Sequence, residues 1–234
     1  MPSEPAESDI VRWRLWPCEE CTRGTTVFDF ILGRHAASEE ISAGSEDEVV
    51  AILARRERGW LGDYVALCSH TKWETAPLRR LDEGSEHIVY LAPDDQWVLK
   101  VTKLGLYGDY YFVSEGRVYQ RAQTPLEYLL RHEFVRRTFG IAPEALAITD
   151  AGQFFSRQQF VQGDPPSQEE VDDFLLSAGI EPVKQNCWLW RKVDPDKKLD
   201  YWIGDARADN FVKTSNGLVP IDLRMWGVIP AITE

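Results

Sequence analysis

Trp202-Ile-Gly-Asp205-Ala-Arg207-Ala-Asp209-Asn210-Phe211, continuing through Ser215-Asn-Gly217 to Val219-Pro-Ile-Asp222, is the stretch on which the reading of this chain turns. Asn-Gly between two short apolar runs is a strong β-hairpin signal. The expected hairpin therefore starts beside Asn210 and ends at Asp222. An Asp and an Asn five residues apart, on a loop entering a hairpin closed by a second Asp, suit phosphoryl transfer. Asp205 is positioned to orient and deprotonate an acceptor hydroxyl, and Arg207 to neutralise charge on the transferred group. Asn210 and Asp222 supply the hard oxygen ligands that Mg²⁺ prefers. An acidic residue closing an apolar strand also needs partners, which a metal would provide.

Working upstream, Lys100 is the matching cation. His87-Ile-Val-Tyr-Leu91 and Trp97-Val-Leu-Lys-Val101 read as two strands joined by Ala92-Pro-Asp-Asp95, a turn by composition. A lysine facing inward from a strand is costly unless paired. A kinase gives it the α/β-phosphates and a carboxylate from the following helix. Glu127 and Glu133 are the two candidates for that carboxylate, with Glu127 slightly preferred. Gly84-Ser85 ahead of the first strand is a phosphate-covering turn with one glycine, where kinases carry three.

Helix starts are marked by capping boxes. Ser45 with Glu48 predicts a helix over about 46–58, and Thr124-Pro125-Leu126-Glu127 predicts one running to about Phe139, stopped by Gly140. Ser167 with Glu170 predicts a third, ending near Gly179. Phe154–Val161 reads as a strand that ends in the Pro/Gly cluster 162–166, the best internal boundary. Residues 1–24 read as a loose leader anchored by Trp13, Leu15 and Trp16.

The chain has 234 residues, 44% hydrophobic, with nine Trp, eight Tyr and ten Phe, the composition of a folded protein. Its formal charge of −12 argues against binding to nucleic acid. No basic and apolar leader and no run long enough for a membrane span are present, so no membrane partner is expected and the cytoplasm is the expected location. Cys18-Glu-Glu-Cys21 has zinc-knuckle spacing, but without a second such pair the four cysteines read as reduced thiols. The four histidines show no catalytic spacing, and neither a Walker A nor a G-x-S-x-G motif occurs, so P-loop and hydrolase readings have no support.

Taken in order, Gly84–Leu91, Trp97–Lys100, Pro125–Leu129, Gly204–Asn210 and Val219–Asp222 resemble the compact serine/threonine/tyrosine kinase-like domains of bacterial and phage polyvalent proteins. The last two stretches are also similar to motifs of aminoglycoside phosphotransferases. The resemblance spans roughly residues 75–226. It implies an α+β, minimal two-lobed protein-kinase-like fold with a truncated C-terminal lobe, using ATP and Mg²⁺. By position, Lys100 matches the ATP lysine, Asp205 the base, and Asn210 and Asp222 the metal ligands. Gln162-Gly163 is then the hinge near the adenine. The expected organisation is an N-terminal extension over 1–74, a nucleotide lobe over 75–163, and a short helical lobe over 164–234 with the catalytic and metal loops. The sequence departs from the family in having Ile-Gly before Asp205 and Leu-Arg after Asp222, and no activation segment. The expected activity is phosphoryl transfer to a hydroxyl of a protein or small molecule. A pseudokinase that senses nucleotide or binds protein without turnover is the alternative, and transfer of AMP from the same site is a further one.

Overall fold

Apolar and β-branched residues on both sides of a tight turn form the hairpin expected after Gly84. Strands β3 (His87–Leu91) and β4 (Trp97–Thr102) pair antiparallel, with His87 opposite Thr102 and Leu91 opposite Val98. In the turn, Asp94 Oδ1 accepts from Gln96 N at 3.0 Å and Asp95 takes φ 55°, a left-handed conformation that Asp tolerates better than most residues. The computed structural model describes residues 8–15, 27–38, 45–67, 74–92, 94–114, 117–141, 144–149, 151–183, 189–194 and 199–228. All four cysteines fall outside these residues, and with them the question of Cys18 and Cys21.

Around that hairpin the sheet closes. β2 (Glu74–Glu83) pairs with β3 through a bulge between Arg80 and Asp82, β8 (Phe154–Gln159) with β4, and β7 (Glu144–Thr149) with β8. β1 (Ser8–Leu15) lies between β7 and β2, completing a barrel in the order β1-β2-β3-β4-β8-β7. Residues 8–15 are therefore a strand and not the loose leader expected. Their pairing is long-range, and it covers both sheet edges that would otherwise stay open. Two helices precede the rest of the barrel, α1 (Val27–Ala37) and α2 (Glu46–Leu67). The capping box that starts α2 is present, Ser45 N donating to Glu48 Oε2 at 3.1 Å and Glu48 N to Ser45 Oγ at 3.3 Å. The helix continues nine residues past the expected end at 58. Gly59 and Gly62 cost it about 1 kcal/mol each, which burial of Leu61 and packing of Trp60 offset.

The chain divides into two compact units: residues 1–109, 120–129 and 143–160 in the first, and 110–119, 130–142 and 161–234 in the second. In the first unit, Leu78, Tyr90, Leu99, Val101 and Phe155 form one buried cluster. Ile31, Leu61, Tyr128, Ile148 and Phe154 belong to another, with the Tyr128 and Phe154 rings stacked 5.2 Å apart. Residues expected to be an N-terminal extension thus contribute a barrel strand and core side chains. Glu57, 2% exposed, joins this region together: its carboxylate accepts from Leu126 N at 2.8 Å and lies 2.8 Å from His35 Nε2. Leu126 is the second residue of α3 (Pro125–Phe139), so Glu57 satisfies a donor that a helix start leaves open.

The second unit takes the remainder of α3 together with α4 (Gln168–Ser177). β5 (Asp109–Ser114) and β6 (Arg117–Ala122) form a two-stranded sheet. A four-stranded sheet follows, from β9 (Glu181–Pro182), β10 (Trp190–Asp194), β11 (Leu199–Gly204) and β14 (Arg224–Val228), in the order β14-β11-β10-β9. The hairpin β12 (Phe211–Thr214) and β13 (Gly217–Pro220) lies between β11 and β14 in sequence. The expectation of a short, helical second lobe is corrected here, because the Trp-rich stretch forms strands. Trp190, Tyr201, Ile203 and Met225 bury the sheet's inner face with Val171 and Leu175 of α4. The whole is an α+β fold. Among the described residues no helix is long and apolar enough to cross a membrane.

Both bonds of the Ser167–Glu170 capping box are present at α4. Ser167→Ala removes the side-chain half, and a loss of about 1 kcal/mol is expected. Thermal denaturation should show a fall in Tm of about 2–4 °C, whereas an unchanged Tm would mean that the cap contributes nothing.

Candidate active site

The expected catalytic loop leaves β11 at Gly204, which faces Arg224 across the β11–β14 pair. A Cβ on Gly204 would stand 3.1 Å from the Trp226 ring and 3.4 Å from that of Tyr111. Any side chain there would oblige the Trp226 ring to shift by a few tenths of an ångström. Tyr110 and Tyr111 lie 5.3 and 5.8 Å from Trp226, centroid to centroid. The next residue, Asp205, has φ 59° and turns the chain away from the sheet. Like Asp95, it is of one of the few residue types other than glycine that tolerate this left-handed conformation.

Hydrogen bonds then close the loop on itself. The Asp205 carbonyl accepts from Arg207 N at 2.8 Å and from Asn210 Nδ2 at 2.7 Å. Asn210 N donates to Arg207 O at 2.9 Å within a single 3₁₀ turn, Ala208–Asn210. With its amide nitrogen used in this way, Asn210 keeps Oδ1 as its acceptor atom. Its own carbonyl accepts from Ile221 N at 2.9 Å, and Phe211 pairs with Pro220. Asn210 and the residue before Asp222 are thereby joined at one end of the hairpin. The structure links Asp205, Arg207 and Asn210 directly, and Asp222 follows Ile221, whose N–H meets the Asn210 carbonyl.

Two guanidinium groups flank the Asp205 carboxylate. Arg207 Nε is 2.8 Å from Oδ1, and Arg224 Nε is 3.8 Å from Oδ2. Arg207 also reaches Asp209 at 3.5 Å, an exposed pair of small energetic weight. Arg224 is mostly buried and lies 3.4 Å from the Tyr111 hydroxyl.

Sequence reasoning overlooked Gln168. Its side chain mimics a peptide group, with Nε2 donating to Ala206 O at 3.0 Å and Oε1 accepting from Ala208 N at 2.9 Å. This clamps the loop to the first turn of α4. No local signal marks that role, since the bonds span about forty residues. Arg224 and Tyr111 were overlooked for the same reason. Gly163 has a structural part as well: a Cβ there would fall on the Lys213 carbonyl. Asp164 and Lys213 exchange backbone hydrogen bonds at 3.0 and 2.8 Å, while Lys213 Nζ binds Glu170. That bond holds Glu170 below the usual carboxylate range and raises Lys213. Gln162 is exposed beside this junction.

The remaining expected residues belong to the first unit. Gly84 closes its turn by donating to His87 O at 3.0 Å, and Ser85 is exposed. Lys100 sits on β4 opposite Val89 and Ser156 and is 7% exposed, so it is not a solvated strand-end lysine. Glu127 is engaged elsewhere: Arg121 grips both its oxygens at 2.7 and 2.8 Å, and Thr124 N donates to it at 2.9 Å. Glu133, in the second unit, binds Arg136 at 2.7 Å and Arg137 at 2.6 Å. Burial pushes Glu133 up, but these hydrogen bonds outweigh it and hold it below the usual carboxylate range. Among the described residues, no group of three or more His, Cys, Asp or Glu is placed to hold a metal.

Gly204→Ala should destabilise the protein by about 1–3 kcal/mol, the usual cost of overpacking, and change the tryptophan fluorescence. A melting curve and spectrum like those of the wild type would show that Trp226 can give way. For Glu133, a depressed folded value means that its contribution to stability exists above the unfolded value of about 4.3. It is lost as pH falls through the folded value. Glu133→Gln should therefore cost about 0.5 kcal/mol at neutral pH, given the partial exposure. The gap to wild type should close in acid; urea melts from pH 7 to pH 3 would refute this if the gap stayed constant. Compared with protein-family models, curated proteins and solved structures, the chain matches none of them.

Proposed function

We propose that this chain is an ATP-dependent phosphotransferase with a two-lobed, kinase-like arrangement, transferring phosphate to a hydroxyl of a protein or small molecule. The observation that carries this reading is the Asp205–Asn210–Ile221 hydrogen-bond chain, which ties the loop bearing Asp205 to Asn210 and to the residue before Asp222. Carboxylate and amide oxygens are hard donors of the kind that suits Mg²⁺. Asn210 Oδ1 and Asp222 would hold the metal, which when bound offsets the charge of the phosphates. A second support is Lys100, buried on the third strand of the β2–β3–β4 meander, as the ATP lysine of protein kinases lies on their third strand.

In this reading Asp205 orients the acceptor hydroxyl and takes its proton as the hydroxyl oxygen attacks the γ-phosphorus, the bond to the β,γ-bridging oxygen breaks and ADP leaves. Arg207 gives up part of its contact with Asp205 to face the transferred group. Arg224 and Gln168 keep the loop in register. Lys100 pairs with the α/β-phosphates, Gly84 and Ser85 cover them, and Gln162 meets the adenine. Glu127 steadies the start of α3.

One observation favours the pseudokinase reading: Arg207 sits 2.8 Å from the carboxylate that must act as base. Thermal shift and transfer of label separate the two. Mg-ATP should raise the Tm of wild type, by about 2.7 kcal/mol of stabilisation at a hundredfold excess over Kd, and Asp222→Asn should abolish the rise. Asp205→Asn, which tolerates the same φ, should keep the rise and lose transfer from γ-labelled ATP by about a hundredfold or more. No rise at millimolar nucleotide would overturn nucleotide binding itself. A rise without transfer to any acceptor would favour the pseudokinase, and label arriving only from α-labelled ATP would mean AMP transfer.

A further inference from the structure

A separate cleft of about 520 Å³ opens within the first unit, lined by Arg58 and Leu61 of α2, Leu104, Gly105 and Tyr107 after β4, and Gly152 after β7. None of these residues belongs to the phosphoryl-transfer reading. The volume lies within the roughly 300–1,000 Å³ typical of small-molecule sites.

Its polar groups are few and unspent. Arg58 is exposed, and among the described residues it makes no ion pair or hydrogen bond. Tyr107 is only 4% exposed, yet its hydroxyl has no hydrogen-bond partner among the described residues. The ring is packed while the hydroxyl, on the cleft wall, is a donor that a ligand acceptor could meet. Burial pushes the Tyr107 pKa up to about 12 despite the pull of Arg58, so the hydroxyl stays a donor at physiological pH. The nearby acid, Glu57, also raises that value, but its two oxygens are already held by His35 and Leu126 N.

The walls are kept open by backbone. Gly105 (φ +73°) and Gly152 (φ +78°) occupy conformations that side chains resist, in turns closed by Leu106 N to Lys103 O and Gly152 N to Thr149 O, both 3.0 Å. A Cβ at Gly105 would stand 3.7 Å from Arg58 Nη1, so the guanidinium lies over the glycine's open face. Beside it Leu104 is 72% exposed, an apolar surface that an occupant would cover.

We propose that this cleft binds a small organic anion, a carboxylate or phosphate monoester carrying a short apolar body. Arg58 takes the anionic head in its planar fork, as guanidinium groups take both chemistries. The Tyr107 hydroxyl donates a second bond, and Leu61 and Leu104 cover the apolar part.

Calorimetric titration of the full chain with hexanoate, phenyl phosphate and uncharged hexanamide tests this. At least one of the two anions should bind with a Kd of about 1 mM or tighter, and hexanamide about tenfold more weakly or not at all. Arg58→Gln, at an exposed position, should weaken the anion about tenfold. Tyr107→Phe keeps the buried ring and should weaken it by a smaller factor. Binding of hexanoate would assign the head as carboxylate, and binding of phenyl phosphate that persists under saturating Mg-ATP would assign it as phosphate. The proposal is overturned by absence of saturable binding at about 10 mM of either anion, by equal affinity for hexanamide, or by wild-type affinity in Arg58→Gln.

Discussion

Asn210 donates its side-chain amide to the Asp205 carbonyl at 2.7 Å, and the geometry of the candidate active site follows from that bond. The carbonyl is within reach because Asp205 adopts φ 59°, which turns the chain back toward the residue five positions on. Once the amide nitrogen is committed, the amide oxygen has a defined direction. Asn210 O then accepts from Ile221 N, so the same residue that closes the loop fixes where the hairpin returns. A left-handed residue other than glycine is steadied by its surroundings. Here they do so three times: through the Gln168 clamp, the two arginines, and the aromatic rings closing on Gly204.

In the first unit, Glu57 has an analogous part, though the physics differs. A carboxylate 2% exposed is tolerable only if its oxygens are answered. One faces His35 from α1 and the other accepts from the open start of α3. Three helices are thereby held in fixed relation by one side chain, beside the apolar cluster of Ile31, Leu61 and Tyr128. The cleft proposed as an anion site borders this arrangement, since Arg58 follows Glu57 on the same helix. Adjacent residues on α2 thus point an acid into the packed interior and a base toward open space.

Lys100 and Glu127 show where reading by analogy needs physical correction. Lys100 is buried, a position a lysine keeps only where its charge is answered. Glu127, expected to answer it, is instead gripped by Arg121 and by the helix cap. A glutamate at the third position of a helix start has a local partner available before any distant one, and that local bond carries little entropic cost.

Sequence alone determined whatever is held by bonds spanning a few residues. The β12–β13 hairpin follows from Asn216-Gly217, the starts of α2, α3 and α4 from Ser45/Glu48, Thr124/Glu127 and Ser167/Glu170, and the end of α3 from Gly140. The closeness of Asp205, Arg207 and Asn210 was legible for the same reason, being built on one loop. Tertiary structure decided the rest. Membership of residues 8–15 in the barrel, the four-stranded sheet of the second unit, the Gln168 clamp and the closeness of Trp226 to Gly204 all join distant parts of the chain. The physical reason is that a strand or clamp of this kind is stabilised by its partner and not by its own propensity, so its signal resides in two places at once.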